Sequence, residues 1–295
     1  MKEVLSIRIN EEFVGLLFRK DEGHSLENVV RLIDISKDDP RYMQIPIISQ
    51  RVRKKYGKSF YFGWNITRSY TSKEIEQVVL FHTIINSVFE PAGEECGTRY
   101  DEGAACEVCG VNRRQIGPLI LKRSKIPKKD IAKTIAGEVI VSDKFVRFYE
   151  KNELSGVQFA PVYDMKQKLT NYYQLIGTSV ELTLSPSTVT GINPFEDGSG
   201  SDGASLNIYG HKVELEPEVY KCPKGHLIGL TLLSEPVVKD STRIKDYDLF
   251  TSEERIGVKR GLLRPEPLYF CSPRFRKMVL DEKLTGFLFE RANIE

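Results

Sequence analysis

The sequence predicts an α+β protein of two related modules, each ending in a strand–helix–strand unit, with a zinc-knuckle insertion in the first. Three observations predict this. Residues 138–162 lie on residues 268–292 in one ungapped register, with an apolar run, a serine and a glycine at matching places. Three of the five cysteines, Cys96, Cys106 and Cys109, fall in one short stretch ahead of the first of those units. Runs of β-branched and aromatic residues, which suit a pleated surface, recur along the chain. The modules are placed at residues 1–165 and 166–295, and a chain of 295 residues can bury more than one core.

Composition narrows the function classes only a little. Hydrophobic content of 40%, charged content of 28% and a net charge of +2 impose no overall preference for nucleic acid or membrane. The N-terminal segment carries charges where a signal peptide would be apolar, and no stretch reaches the roughly 20 apolar residues of a membrane span. A cytoplasmic location with no membrane partner is expected. In such a reducing compartment, clustered cysteines read as metal ligands or redox partners before they read as disulfides.

The first 90 residues read as strands with one helix. Phe60 to Thr67 is a strand by composition. Thr71 and Glu74 fit a capping box, and Ile75, Val78, Val79, Ile84, Ile85 and Val88 follow at helical spacing, which places His82 on a helix. In the two matching units, Val139-Ile140-Val141 and Leu268-Tyr269-Phe270 are strands. Ser142 and Ser272 then cap short helices, with Pro273 just inside the second. Phe145, Phe148 and Tyr149 share one helix face, as do Phe275, Met278 and Val279. Gly156 and Gly286 are expected to end those helices, and alternating strands follow. Between the units, residues 171–192 read as strands and residues 194–206 as a Gly/Ser/Asp loop. Asp197 and Asp202 within that loop lack the spacing of a calcium-binding EF-hand.

Cys106-Glu107-Val108-Cys109-Gly110 has the shape of a zinc knuckle: two thiolates reach one ion, and the glycine turns backbone amides toward sulfur. Cys96-Gly97 looks like half of a second knuckle, with Gly93 where its partner cysteine would stand. A closed structural site takes four ligands. Beside Cys96, Cys106 and Cys109, the further candidates are His82, Asp101 and the pair in Cys222-Pro223-Lys224-Gly225-His226. A redox role for the cysteines and plain core packing stand as alternatives, and Cys271, opposite Val141 in the repeat, reads as core.

Charge changes sign across the cluster. Glu94, Glu95, Asp101 and Glu102 precede or enter it, and Arg113, Arg114, Lys122 and Arg123 follow it. These eight residues are the candidate partner-binding set. The basic run, with Arg51, Arg53, Lys54 and Lys55 beside the aromatic strand, also raises a nucleic-acid reading. No phosphate loop, nucleophile elbow or His-Glu-x-x-His motif is present, so no catalytic or organic-cofactor residue is assigned.

The stretch from Glu95 to Glu102, then Ala105 to Gly110, resembles the bacterial proteins named for a double CxxCG motif. The Ser142-x-x-Phe145 helix start and the strand from Leu154 to Phe159 also resemble segments of those proteins and of related immunity proteins from polymorphic toxin systems. The resemblance covers residues 93–163 and departs from the motif at Gly93. It implies a non-enzymatic protein that neutralises a toxin by binding it, with structural zinc. The alternatives are a nucleic-acid-binding zinc-knuckle protein and a zinc- or thiol-dependent enzyme.

Overall fold

Leu5, Ile7 and Ile9 are each at most 2% exposed, because every second side chain of a strand points to the same face. Their strand, β1 (Lys2–Asn10), belongs to a four-stranded sheet of order β2-β3-β1-β4, with β2 at His24–Leu26, β3 at Val30–Ser36 and β4 at Tyr61–Ser69. Helix α1 (Ile45–Tyr56) adds Ile45, Ile48 and Val52 to the same core and ends at Gly57, in the left-handed conformation. The sequence reading did not foresee this helix. The basic run Arg51, Arg53, Lys54 and Lys55 is its exposed side, and the last three of those cations sit in its final turn, where they complement the helix dipole. Of the aromatic strand, Phe60 is core, Tyr61 and Trp64 pack against the core, and Phe62 is exposed.

The structure, a computed structural model, describes the chain except for residues 179–180, 192, 196–204, 209–210, 215–220, 240–241, 243 and 258. Most of the expected 194–206 loop, with Asp197 and Asp202, lies outside the described residues. Two compact units divide the chain: Met1–Gln77 with Asn193–Glu196, and Val78–Ile192 with Asp197–Glu295. Residue 165, where the sequence reading ends its first module, lies in a tight turn between two paired strands of one sheet.

At the end of the first unit the Thr71–Glu74 capping box forms as expected, but helix α2 (Ser72–Glu76) stops there. The expected continuation through His82 to Val88 is corrected: Leu80–Ile85 is a strand, β5, buried along almost its whole length. A run apolar on both sides suits a strand covered on both faces as well as it suits a helix, and its tertiary neighbours decided the matter.

The second unit runs from β5 through β6 (Val88–Phe89), α3 (Gly93–Cys96), β7 (Arg99–Asp101), β8 (Arg114–Ile116), β9 (Ile120–Leu121) and β10 (Ile131–Thr134). Next come β11 (Val139–Ser142), α4 (Asp143–Lys151), β12 (Val157–Asp164), β13 (Leu169–Thr178), β14 (Glu181–Leu182) and β15 (Thr190–Gly191). After β16 (Ser205–Ile208), β17 (His211–Glu214), β18 (Thr231–Leu232) and β19 (Val237–Val238), it closes with β20 (Leu249–Ile256), β21 (Glu266–Cys271), α5 (Pro273–Asp281) and β22 (Phe287–Ile294). The described residues are therefore mixed α+β, with more strand than helix.

Two six-stranded sheets dominate this unit, ordered β6-β10-β11-β13-β12-β9 and β14-β20-β21-β5-β22-β19. Their strand senses agree position by position. The two outer pairs of each sheet are parallel and the three pairs between them antiparallel. Each sheet also takes its fourth strand from the neighbouring stretch of chain: β13 lies between β11 and β12, and β5 between β21 and β22.

Side-chain detail repeats the match. Ser142 and Ser272 cap α4 and α5 by accepting from the amides of Phe145 and Phe275. Each capping hydroxyl donates to a buried carboxylate, Ser142 to Asp130 at 3.0 Å and Ser272 to Asp248 at 2.9 Å. The same two carboxylates also reach across to the other half. Asp130 accepts from the Thr285 amide at 2.8 Å, and Asp248 from the Ser155 amide at 3.2 Å. The helices end at Asn152 and Glu282, before the glycines expected to stop them. Gly156 and Gly286 serve a different need, at φ 114 and 100: a Cβ there would lie 2.0 Å from the Leu249 carbonyl oxygen and 2.1 Å from that of Ile131. Phe145 and Phe275 meet with ring centroids 6.2 Å apart.

Candidate metal centre

Two tight turns, distant in sequence, bring Cys106, Cys109, Cys222 and His226 together, with all four ligand atoms within 4.8 Å of one another. The first is the knuckle read from the sequence. The Gly110 amide donates to the Cys106 carbonyl at 2.7 Å, and the Cys106 amide to that of Val111 at 2.8 Å. Glycine is required at 110 because φ is +76 and a Cβ would meet Lys259 Cβ at 2.8 Å. The second turn closes through the Gly225 amide to the Cys222 carbonyl at 2.8 Å and the Cys222 amide to that of His226 at 3.0 Å. Lys224 and Glu107 pair across the two turns.

His226 Nδ1 lies 3.4 Å from Cys222 Sγ and 3.7 Å from Cys109 Sγ. A tetrahedral ion with usual bond lengths sets sulfur and imidazole nitrogen about 3.5 Å apart, so the donors fit one ion. All three cysteines are free and buried, and Ile228, Leu230, Val108 and Val111 pack around them. Burial pushes the Cys106 thiol up, but the amides of Cys109 and Val108 and the side chains of Cys109 and His226 outweigh it, bringing it down to about 7. Burial, with the sulfurs of Cys106 and Cys222 adjacent, pushes Cys109 up to about 12. One thiolate is thus readily formed, and a cation at the centre of the four groups favours the others.

Other candidates lie elsewhere. Cys96, at the end of α3, is not among the four; burial raises its thiol and the Lys122 amide hydrogen-bonds its sulfur. His82 sits on β5 opposite Phe270 and Glu290. Asp101 accepts from the Gly103 amide within its own turn. Cys271 is wholly buried on β21, as core packing requires.

The acidic segment expected to face a partner is largely engaged with the protein's own cations. Glu94 pairs with Arg113 and Arg264, and Glu102 with Arg113 and Lys259, while Glu95 accepts from the Ala92 amide. Arg113 is mostly buried, stacked 3.7 Å from the Tyr100 ring centroid. Arg114, Lys122 and Arg123 are exposed, as are Lys125, Lys128 and Lys129 further along. Sequence reasoning passed over Tyr100, Glu138 and Arg264, whose importance comes only from burial beside one another. No family model matches the chain, and no curated protein matches it.

Proposed function

We propose that this is a non-enzymatic binding protein whose second unit is stapled by structural zinc. The observation that carries the reading is the four-ligand set Cys106, Cys109, Cys222 and His226. Three thiolates and one imidazole in tetrahedral reach suit zinc. Four protein ligands complete the coordination of a structural site, whereas a catalytic ion keeps a position for water or substrate. This favours the binding reading over the zinc-enzyme alternative.

The matched sheets and the crossed Asp130 and Asp248 hydrogen bonds support two related modules descended from one duplicated unit. On that reading each copy contributes one turn to the zinc site, and the metal joins the copies. The first module then begins near Val78, not at the N-terminus.

The partner is proposed to be a protein, and the resemblance to double-CxxCG and immunity proteins makes it a toxin that this chain neutralises in the cytoplasm of a bacterium. The test is binding of purified protein to the toxins encoded beside its gene, followed by calorimetry. A tight one-to-one complex that suppresses toxicity is the expected result. Failure with every neighbouring candidate overturns the immunity reading. The exposure of Arg114, Lys122 and Arg123 favours a second reading, nucleic-acid binding. That reading requires affinity that falls steeply with salt and weakens when those three are neutralised.

A further inference from the structure

A polar cavity of about 280 Å³ in the second unit is lined by Tyr100, Arg113, Gln115, Glu138, Arg255 and Arg264 among others. Its three guanidinium groups come from separate segments: the loop after the knuckle, the C-terminal end of β20 and the approach to β21. Burying a cation costs free energy unless an anion compensates it nearby. The Arg113 and Arg264 side chains are only 9% and 10% exposed. Their carboxylate partners, Glu94 and Glu102, are more exposed than they are. One oxygen of Glu94 serves both arginines, at 3.4 Å from Arg264, and Glu94 and Glu102 are 41% and 51% exposed. Among the described residues, Arg264 Nε has no hydrogen-bond acceptor.

The wall itself holds one acid. Burial raises the Glu138 carboxyl above its ordinary range, against hydrogen bonds from Tyr100 and backbone amides and the nearby Arg113 charge. Tyr100 and Thr134 both donate to it. Three cations therefore line the cavity beside this one carboxyl, each also paired with a carboxylate outside the wall: Arg113 with Glu94 and Glu102, Arg264 with Glu94, and Arg255 with Glu181. Arg113 is held against Tyr100, and Arg255 is braced by the Ser252 carbonyl at 3.1 Å and by Glu181 at 3.1 Å. Such bracing fixes the guanidinium forks before a ligand arrives, and an arginine fork matches the oxygens of carboxylate and phosphate.

We propose that this cavity binds a small organic oxyanion, with Arg113, Arg255 and Arg264 clamping its carboxylate or phosphate group. The volume is near the lower end for small-molecule sites, so the ligand is a compact metabolite-sized anion. The cavity wall includes none of the four proposed metal ligands, so anion binding and metal binding are scored separately.

The experiment is a calorimetric titration of the full-length protein with malonate and, separately, with orthophosphate, at constant ionic strength with chloride as the control. Metal content is measured on the same sample, so the fate of the zinc reading is scored separately. One saturable site for either probe, with none for chloride, is expected. Arg264→Gln should weaken it about tenfold, the loss of one charge-assisted hydrogen bond. Should that variant fail to fold, Arg255→Gln, at a side chain 29% exposed, should show a similar loss. Absence of saturation with both probes, equal binding of chloride, or a folded variant that binds like the parent would overturn the proposal.

Discussion

Cys109 and Cys96 are both small buried thiols, yet only Cys109 faces three other ligand groups. Replacing Cys109 with serine is expected to abolish metal binding and lower the melting temperature by about 10 °C or more, since the binding energy of a structural zinc is folding energy. Cys96→Ser should leave metal content unchanged. Elemental analysis and thermal melts of the two variants check this, and a chelator should reproduce the Cys109 effect. Glu138 makes a different prediction. Its folded carboxyl binds a proton more tightly than its unfolded reference of 4.5. Its contribution to stability is therefore full below about pH 4.5 and lost as pH rises through the higher folded value. Urea midpoints of the parent and Glu138→Gln should reveal it: the advantage of the parent shrinks as the pH rises above about 4.5. A constant difference would contradict the assignment. The tight turn through Cys106, Cys109 and Gly110 was legible because the spacing of those residues is itself the local geometry. Which of the remaining cysteines and histidines lies beside it was not, because that depends on how two turns distant in sequence come together.

At the scale of elements, the serine caps and the helix faces could be read directly. Ser142 and Ser272 act through the backbone of their own first turns, so four residues of sequence contain the whole interaction. The glycines were located correctly and explained wrongly. They are needed less to stop a helix than to let the backbone pass against a strand, and nothing local announces that approach. Gly156→Ala and Gly286→Ala should each cost about 3 kcal/mol or more, combining an unfavourable φ with a clash against a backbone oxygen. Denaturation of the two single variants checks this, and near-equal losses are expected because the two sites are near-duplicates. β5 shows the opposite limit of local reading. Its run of apolar residues was taken for helix because periodicity cannot tell a strand buried on both faces from a buried helix.

For the second unit as a whole, the reciprocal placement of β5 and β13 makes a mechanical prediction. A protease site inserted in the turn between β12 and β13, around Met165 to Lys168, should allow clean cutting of the folded protein without separation of the pieces. Each piece then holds the fourth strand of the other's sheet, and Asp130 and Asp248 still bond across. Size-exclusion chromatography of the nicked protein should give one intact species that separates only in denaturant. Two species under native conditions would show that the halves on either side of residue 165 are autonomous.

The sequence by itself determined the α+β class, the tight turn at Cys106 to Gly110, the two capped helices and their flanking strands, because each is specified by residues within about one turn or one strand of each other. Tertiary structure decided where the units divide, that Leu80 to Ile85 is a strand, and that Cys222 and His226 lie beside Cys106 and Cys109, where the four could hold a metal ion. It also decided that Arg113 and Arg264 are buried beside Glu138. These outcomes depend on strand pairing and chain return across a hundred residues or so, which the hydrophobic effect and hydrogen-bond satisfaction settle for the folded molecule as a whole.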